Sequence, residues 1–177
     1  MEGKEVKSYD AAERKAKIGV ILQDPILFSG TVRENILYGN EAMTALSNEE
    51  LRNSLEEAGL GSLLQRFDSG LETPIQMTGD GISLGQKQLI AFMRAILRKP
   101  ELLILDEATA NIDTVTEQQL ETIINNLPAS TSKVIIAHRL NTIESADEIF
   151  FVNSGEITAA GSLDKALDLL MRGAMDS

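Results

Sequence analysis

Three short apolar runs in this chain each stop at a polar side chain suited to phosphate or water chemistry. Ile18 to Leu22 ends at Gln23, Leu102 to Leu105 ends at Asp106 and Glu107, and Val134 to Ala137 ends at His138. Ligands of open parallel sheets sit outside the carboxyl ends of the strands. If the three runs are neighbouring parallel strands, these side chains converge on one crevice. Two adjacent carboxylates can divide labour there. One holds a divalent cation through oxygen, as Mg²⁺ prefers, and the other orients or deprotonates an attacking water. A neutral amide or imidazole beside them contacts a phosphate oxygen without adding negative charge. Taken singly, each residue has a plainer reading: Asp106 as a helix cap, Gln23 as a polar strand end, His138 as a structural histidine. The coincidence of all three is what points to chemistry.

The second constellation is the turn Gly81-Ile82-Ser83-Leu84-Gly85-Gln86. Ser83 is suited to cap the helix that follows, whose first amides and dipole attract anions. Gly85 has no Cβ, so a ligand can approach the backbone closely. On its own this is an ordinary glycine-containing cap.

The elements that must position these residues follow from the hydrophobic pattern. The three apolar runs have the length and composition of buried parallel strands. Between the first and second lies a helical stretch broken by turns. Asn48 is the expected N-cap of a helix carrying Leu51, Leu55 and Leu60, and a second short helix bears Leu63, Leu64 and Phe67. The helix after Ser83 places Leu89, Phe92, Met93, Ile96 and Leu97 on one face and ends by Pro100. A polar amphipathic helix is expected over Thr114 to Leu127, and Leu163 to Met171 carries an apolar stripe. Asn153-Ser154-Gly155 is a hairpin turn between two short strands. Strands alternating with helices, plus a helical insert, give an α/β architecture.

Bulk properties narrow the classes. The 177 residues suffice for one domain or two small subdomains. A net charge of -11 repels phosphate backbones and argues against nucleic-acid or anionic-membrane binding. With no cysteine there is no disulfide framework and no thiolate metal site. No apolar stretch approaches the roughly 20 residues that span a bilayer, and the N-terminus lacks a signal-peptide core. The expectation is a soluble chain on the cytoplasmic side of the membrane, tied to it through a partner.

Read together, the segments resemble the ATP-binding domains of ABC transporters. Ile82-Ser83-Leu84-Gly85-Gln86 is similar to the family's Leu-Ser-Gly-Gly-Gln signature, Leu102 to Glu107 to the Walker B motif with its glutamate, and Ala110-Asn111-Ile112-Asp113 to the D-loop. Ala137-His138-Arg139-Leu140 resembles the switch-histidine segment and Val20 to Pro25 the Q-loop. Leu27-Phe28-Ser29-Gly30-Thr31-Val32-Arg33-Glu34-Asn35-Ile36 looks like the Q-loop exit of exporter-type subunits, of the multidrug or lipid kind. The resemblance implies a P-loop NTPase, RecA-like core over residues 1–27 and 98–177, incomplete at the N-terminus, and an inserted α-helical subdomain over 28–97. It also implies ATP and Mg²⁺ as cofactors of the parent, with Asp106 holding Mg²⁺ through water, Gln23 sensing the cation and γ-phosphate, Glu107 polarising the water and His138 touching the γ-phosphate. Ser83, Gly85 and Gln86 would contact ATP held by a second nucleotide-binding domain in a head-to-tail dimer, with Asp113 organising that interface. The membrane-spanning domain would dock near the Q-loop exit.

Three departures qualify the resemblance. The chain contains no Gly-x-x-x-x-Gly-Lys followed by Ser or Thr, the loop whose amides and lysine cradle phosphates; in the family it precedes the point where this sequence starts. The expectation is that the chain alone binds ATP weakly or not at all, does not hydrolyse it, and exposes a sheet edge that invites self-association. Leu84 also replaces the first glycine of the signature pair, and Ala110 stands where the D-loop often has serine. The alternatives are a non-catalytic interaction module and an ABC-type ATPase of DNA repair or chromosome maintenance. The latter carries long coiled-coil insertions that the compact stretch between Gln23 and Ser83 lacks.

Overall fold

The computed structural model describes residues 3–76, 81–106, 112–137, 146–153, 155–161 and 164–165. It divides into two compact units, Met1–Ile136 and Ala137–Ser177.

In the first unit, α1 (Ala11–Lys17) leads directly into β1 (Ile18–Ile21). Asp10 starts α1 with a reciprocal capping box to Glu13, which satisfies two orphan amides at once. β1 pairs in parallel with β4 (Leu102–Asp106), which pairs in parallel with β5 (Ser132–Ile136). The strand order β1-β4-β5 makes the three runs parallel neighbours, as their composition suggested. The register sets Val20, Ile104 and Val134 side by side, and Ile21, Leu105 and Ile135 likewise.

The sheet is covered unequally. Ile21, Leu103 and Leu105 are buried, whereas Val20 and Val134 are each 48% exposed and Ile136 is 46% exposed. β5 was expected to be a buried strand ending at His138; instead it spans Ser132–Ile136 and every residue in it is exposed. Its Val-Ile-Ile composition is that of a strand enclosed on both faces, but in the described structure it forms an edge and the Val20–Ile104–Val134 face is open.

Between β1 and β4 lies the helical insert. A two-strand ribbon, β2 (Gly30–Thr31) with β3 (Pro74–Ile75), brackets α2 (Val32–Leu37) and α3 (Asn48–Glu57). Gly30 has φ +141°, and a Cβ there would collide with the carboxylate of Glu34. That carboxylate is needed to complete the Thr31–Glu34 capping box of α2. The N-cap of α3 is Ser47, not Asn48. Ser47 is followed three residues later by Glu50, whose carboxylate accepts from the Ser47 amide, and this reciprocal pair outcompetes the single cap Asn48 could offer. The second short helix is a 3₁₀ segment, Gly61–Arg66, with Phe67 just beyond it.

α4 (Leu84–Ile96) packs on β1 and α2. Leu89, Phe92, Met93, Ile96 and Leu97 are buried as the periodicity predicts. So are Ile90, Ala91 and Ala95, so the helix is enclosed on nearly all sides rather than along one stripe. Each fully buried large side chain contributes about 1.5–3 kcal/mol, and with Leu51, Leu55, Leu60, Leu63 and Leu71 also fully buried this is the centre of the core. α5 (Thr114–Asn125) ends two residues earlier than expected and buries Leu120 and Ile124. In the second unit, β6 (Phe150–Asn153) and β7 (Glu156–Ala159) form the expected hairpin, with Gly155 at φ +85° in its turn. The helix expected over Leu163 to Met171 lies outside the described residues except at 164–165.

Candidate functional site

The parallel ladder puts two of the strand-end groups together. Ile21 is opposite Leu105, so Leu22 and Gln23 leave β1 beside Asp106 at the carboxyl end of β4. Asp106 is half-buried and Gln23 exposed. A carboxylate and an amide offer the oxygen donors that Mg²⁺ takes, and their neighbouring strand ends suit a cation held partly through water. Among the described residues no group of three or more His, Asp or Glu side chains is arranged to hold a metal ion. Glu107 and His138, with Ala110, Asn111, Arg139 and Leu140, lie outside the described residues.

Gln23 is tied to the helix that follows the glycine turn. Gln88 Nε2 donates to the Gln23 carbonyl at 3.1 Å. Gln88 is fully buried, and its Oε1 has no hydrogen-bond partner among the described residues. Sequence reading passed over this residue, although a glutamine four positions before Phe92 on the enclosed face of a helix is a detectable signal.

Ser83 caps α4 as expected. Its Oγ accepts from the Gln86 amide at 3.1 Å, and Gln86 Oε1 accepts from the Ser83 amide at 2.9 Å. Gln86 Nε2 then donates to the carbonyl of Arg66 at 2.6 Å. Both ends of the Gln86 side chain are thus engaged in bracing the turn. Leu84, at the position of the missing glycine, is 36% exposed.

Asp113 is the N-cap of α5. Its Oδ1 accepts from the Thr116 amide at 3.1 Å and its Oδ2 accepts from the Thr116 hydroxyl at 2.8 Å. The hydroxyl also accepts from Arg66 NH2 at 2.6 Å, and the same guanidinium lies 3.5 Å from Asp113 Oδ1. These contacts hold the Asp113 carboxyl below its ordinary range. The Thr116 hydroxyl is the largest cause and the Thr116 amide the next; burial opposes them, and Arg66 adds a smaller lowering effect. Ser83, Gly85, Gln86, Asp113, Arg66 and Thr116 all line one open cavity of about 350 Å³, together with Leu89 and Ile112. Signature-like and D-loop-like residues, separated by some thirty positions, therefore share a single concavity.

The Q-loop exit is knotted around Asn35, which is 1% exposed. Its Oδ1 accepts from the Phe28 amide at 2.8 Å, and its Nδ2 donates to the carbonyls of Phe28 and Thr31 at 2.8 and 3.0 Å. Arg94 on α4 donates to the carbonyls of Asn35 and Ile26 at 2.7 and 3.1 Å and lies over the Tyr38 ring. Burial, with Arg98 nearby, pushes the Arg94 guanidinium down to about 10, and Tyr38 opposes the shift slightly. Outside this knot, Ile26, Phe28 and Tyr38 are exposed, the last two in ring contact at 4.2 Å.

The ABC transporter family profile matches residues 1–110. An uncharacterised ABC transporter ATP-binding protein of Bacillus subtilis (strain 168), YfiC, is 43% identical over 94% of this chain and 27% of its own length. A second protein of that organism, YheH, named a probable multidrug resistance ABC transporter ATP-binding/permease protein, is 38% identical over 96% of this chain and 25% of its own. The chain thus spans about a quarter of the length of these relatives. Among solved structures, a bacterial Atm1-family ABC exporter with ATP bound superposes with a TM-score of 0.70 at 33% identity, covering 90% of this chain and 27% of that one. With its parallel-sheet core of the P-loop NTPase type, the chain belongs to the ABC transporter family.

Proposed function

We propose that this chain is part of the ATP-binding domain of an exporter that couples ATP hydrolysis to transport through a membrane-spanning domain, acting on the cytoplasmic side. Residues 1–27 and 98–177 make up the ATPase core in this reading, and residues 28–97 form a helical subdomain. The observation that carries it is the shared cavity of Ser83, Gly85 and Gln86 with Asp113. In this reading that cavity faces nucleotide held by a second such domain. Ser83 and Gly85 present hydroxyl and amide groups to it, Gln86 braces their turn, and Asp113 orders the adjoining interface.

Mg-ATP, when bound, supplies the phosphoryl group that is cleaved. In an intact domain this chain's residues would act around it: Asp106 would hold the cation through water, Glu107 would orient the attacking water and take its proton, and His138 would donate to a phosphate oxygen. Gln23 reports on that site through the backbone that Gln88 holds. The exposed Ile26, Phe28 and Tyr38, backed by Arg94, are the surface offered to the membrane domain.

The 177 residues contain no phosphate-cradling Gly-x-x-x-x-Gly-Lys motif, and backbone amides of that loop are the usual grip on the phosphates. The chain by itself is therefore proposed not to turn over ATP. A phosphate-release assay with Mg-ATP should give the same background rate for the chain and for its Glu107→Gln variant. Turnover that Glu107→Gln abolishes would overturn that proposal.

A further inference from the structure

Arg66 belongs to none of the motifs, yet it joins two of them. Its guanidinium donates to the Thr116 hydroxyl at 2.6 Å and lies 3.5 Å from Asp113, at the start of α5. Its carbonyl accepts from Gln86 Nε2 at 2.6 Å, at the start of α4. One residue thus holds the N-terminal turns of both helices, one through its side chain and the other through its backbone. Thr116 is 1% exposed and its hydroxyl has a defined direction, accepting from Arg66 while donating to Asp113 Oδ2.

We infer that Arg66 is a positioning residue that locks the signature turn at Ser83–Gln86 to the cap of α5, so that the two partner-facing segments move as one. This rests on the proposed reading of those segments as partner-facing. The chemistry suits a reversible latch. The ion pair is exposed, with the Arg66 and Asp113 side chains 43% and 56% accessible, so on its own it contributes little and weakens with salt. Directional hydrogen bonding through Thr116 gives it geometry. Lysine cannot reproduce that geometry, because an ammonium is a point charge without a fixed fork.

Amide hydrogen exchange on the 177-residue chain tests the latch without nucleotide, so its failure is separable from failure of the ATPase reading. Thr116→Val keeps the shape of the buried side chain and removes only the hydroxyl. It should raise exchange at residues 83–86, across the latch, by about threefold or more, as well as at 113–116. Arg66→Met should loosen both segments further, Arg66→Lys should recover part of the loss, and added salt should move the wild type toward Arg66→Met. Exchange at 83–86 that is unchanged in Thr116→Val, or equal in Arg66→Met and wild type, would overturn the inference.

Discussion

Gln88 Nε2 lies 3.1 Å from the carbonyl oxygen of Gln23, a hydrogen bond between residues 65 positions apart. It joins the helix that opens with the signature turn to the loop that leaves β1 beside Asp106. The second polar atom of the Gln88 amide, Oε1, is buried without a partner among the described residues, so the bond to Gln23 is held at a desolvation cost of about 1–3 kcal/mol.

Replacing Gln88 with leucine removes the bond and the unpartnered oxygen together. The two effects oppose each other, so global stability should change by less than about 1 kcal/mol. Protection should nevertheless fall at residues 23–26, measured by hydrogen exchange. Unaltered exchange there would show that Gln88 does not restrain the loop.

Asn35→Ala should be far more damaging. It strands the Phe28 amide and two carbonyls in a partly buried site and removes one anchor of Arg94. The expected loss is about 2–3 kcal/mol in urea unfolding. A loss of a few tenths would mean that water replaces the side chain.

The Asp113 carboxyl sits below its ordinary range in the folded chain. Its contribution to stability is therefore complete above the unfolded value, near pH 4, and is lost as pH falls through the depressed folded value. An Asp113→Asn variant keeps a side chain able to cap α5 but loses the titrating group. The stability gap between wild type and Asp113→Asn should shrink as pH is lowered from about 5 to 2. A gap that stays constant through that range would contradict the assigned contacts.

The open face of the sheet carries Val20, Val134 and Ile136. Parallel sheets are normally covered on both faces, so the isolated chain should self-associate with rising concentration, and Val134→Glu should reduce this. Light scattering that shows a monomer at every concentration for both proteins would contradict it.

Much of the fold was legible because its signals are local. Apolar runs of five and four residues, bounded by Gln23 and Asp106, mark the strands, and helical spacing from Leu89 to Leu97 marks the core helix. The mistaken cap at Asn48 shows the limit of single-residue signals: the competing Ser47–Glu50 pair needed both partners to be weighed together. β5 was misjudged for a different reason. Val134-Ile135-Ile136 describes what a strand prefers, whereas its exposure depends on which elements cover it. The site divides similarly. Ser83 and Asp113 stood out by type and order, but Arg66 offers its own carbonyl to Gln86, 20 positions away, and Gln88 donates to a carbonyl 65 positions away, and nothing in the local sequence encodes such distances.

The central claim is that the Ser83–Gln86 turn and Asp113 face nucleotide held by another ATP-binding domain. Its most direct test mixes the chain with an intact exporter ATP-binding domain that has its own phosphate loop and a catalytic glutamate replaced to arrest hydrolysis. Analytical ultracentrifugation should then show a mixed complex that forms with Mg-ATP, is absent without it, and is lost in Ser83→Arg. No complex with Mg-ATP, or one indifferent to both nucleotide and Ser83→Arg, would contradict the account.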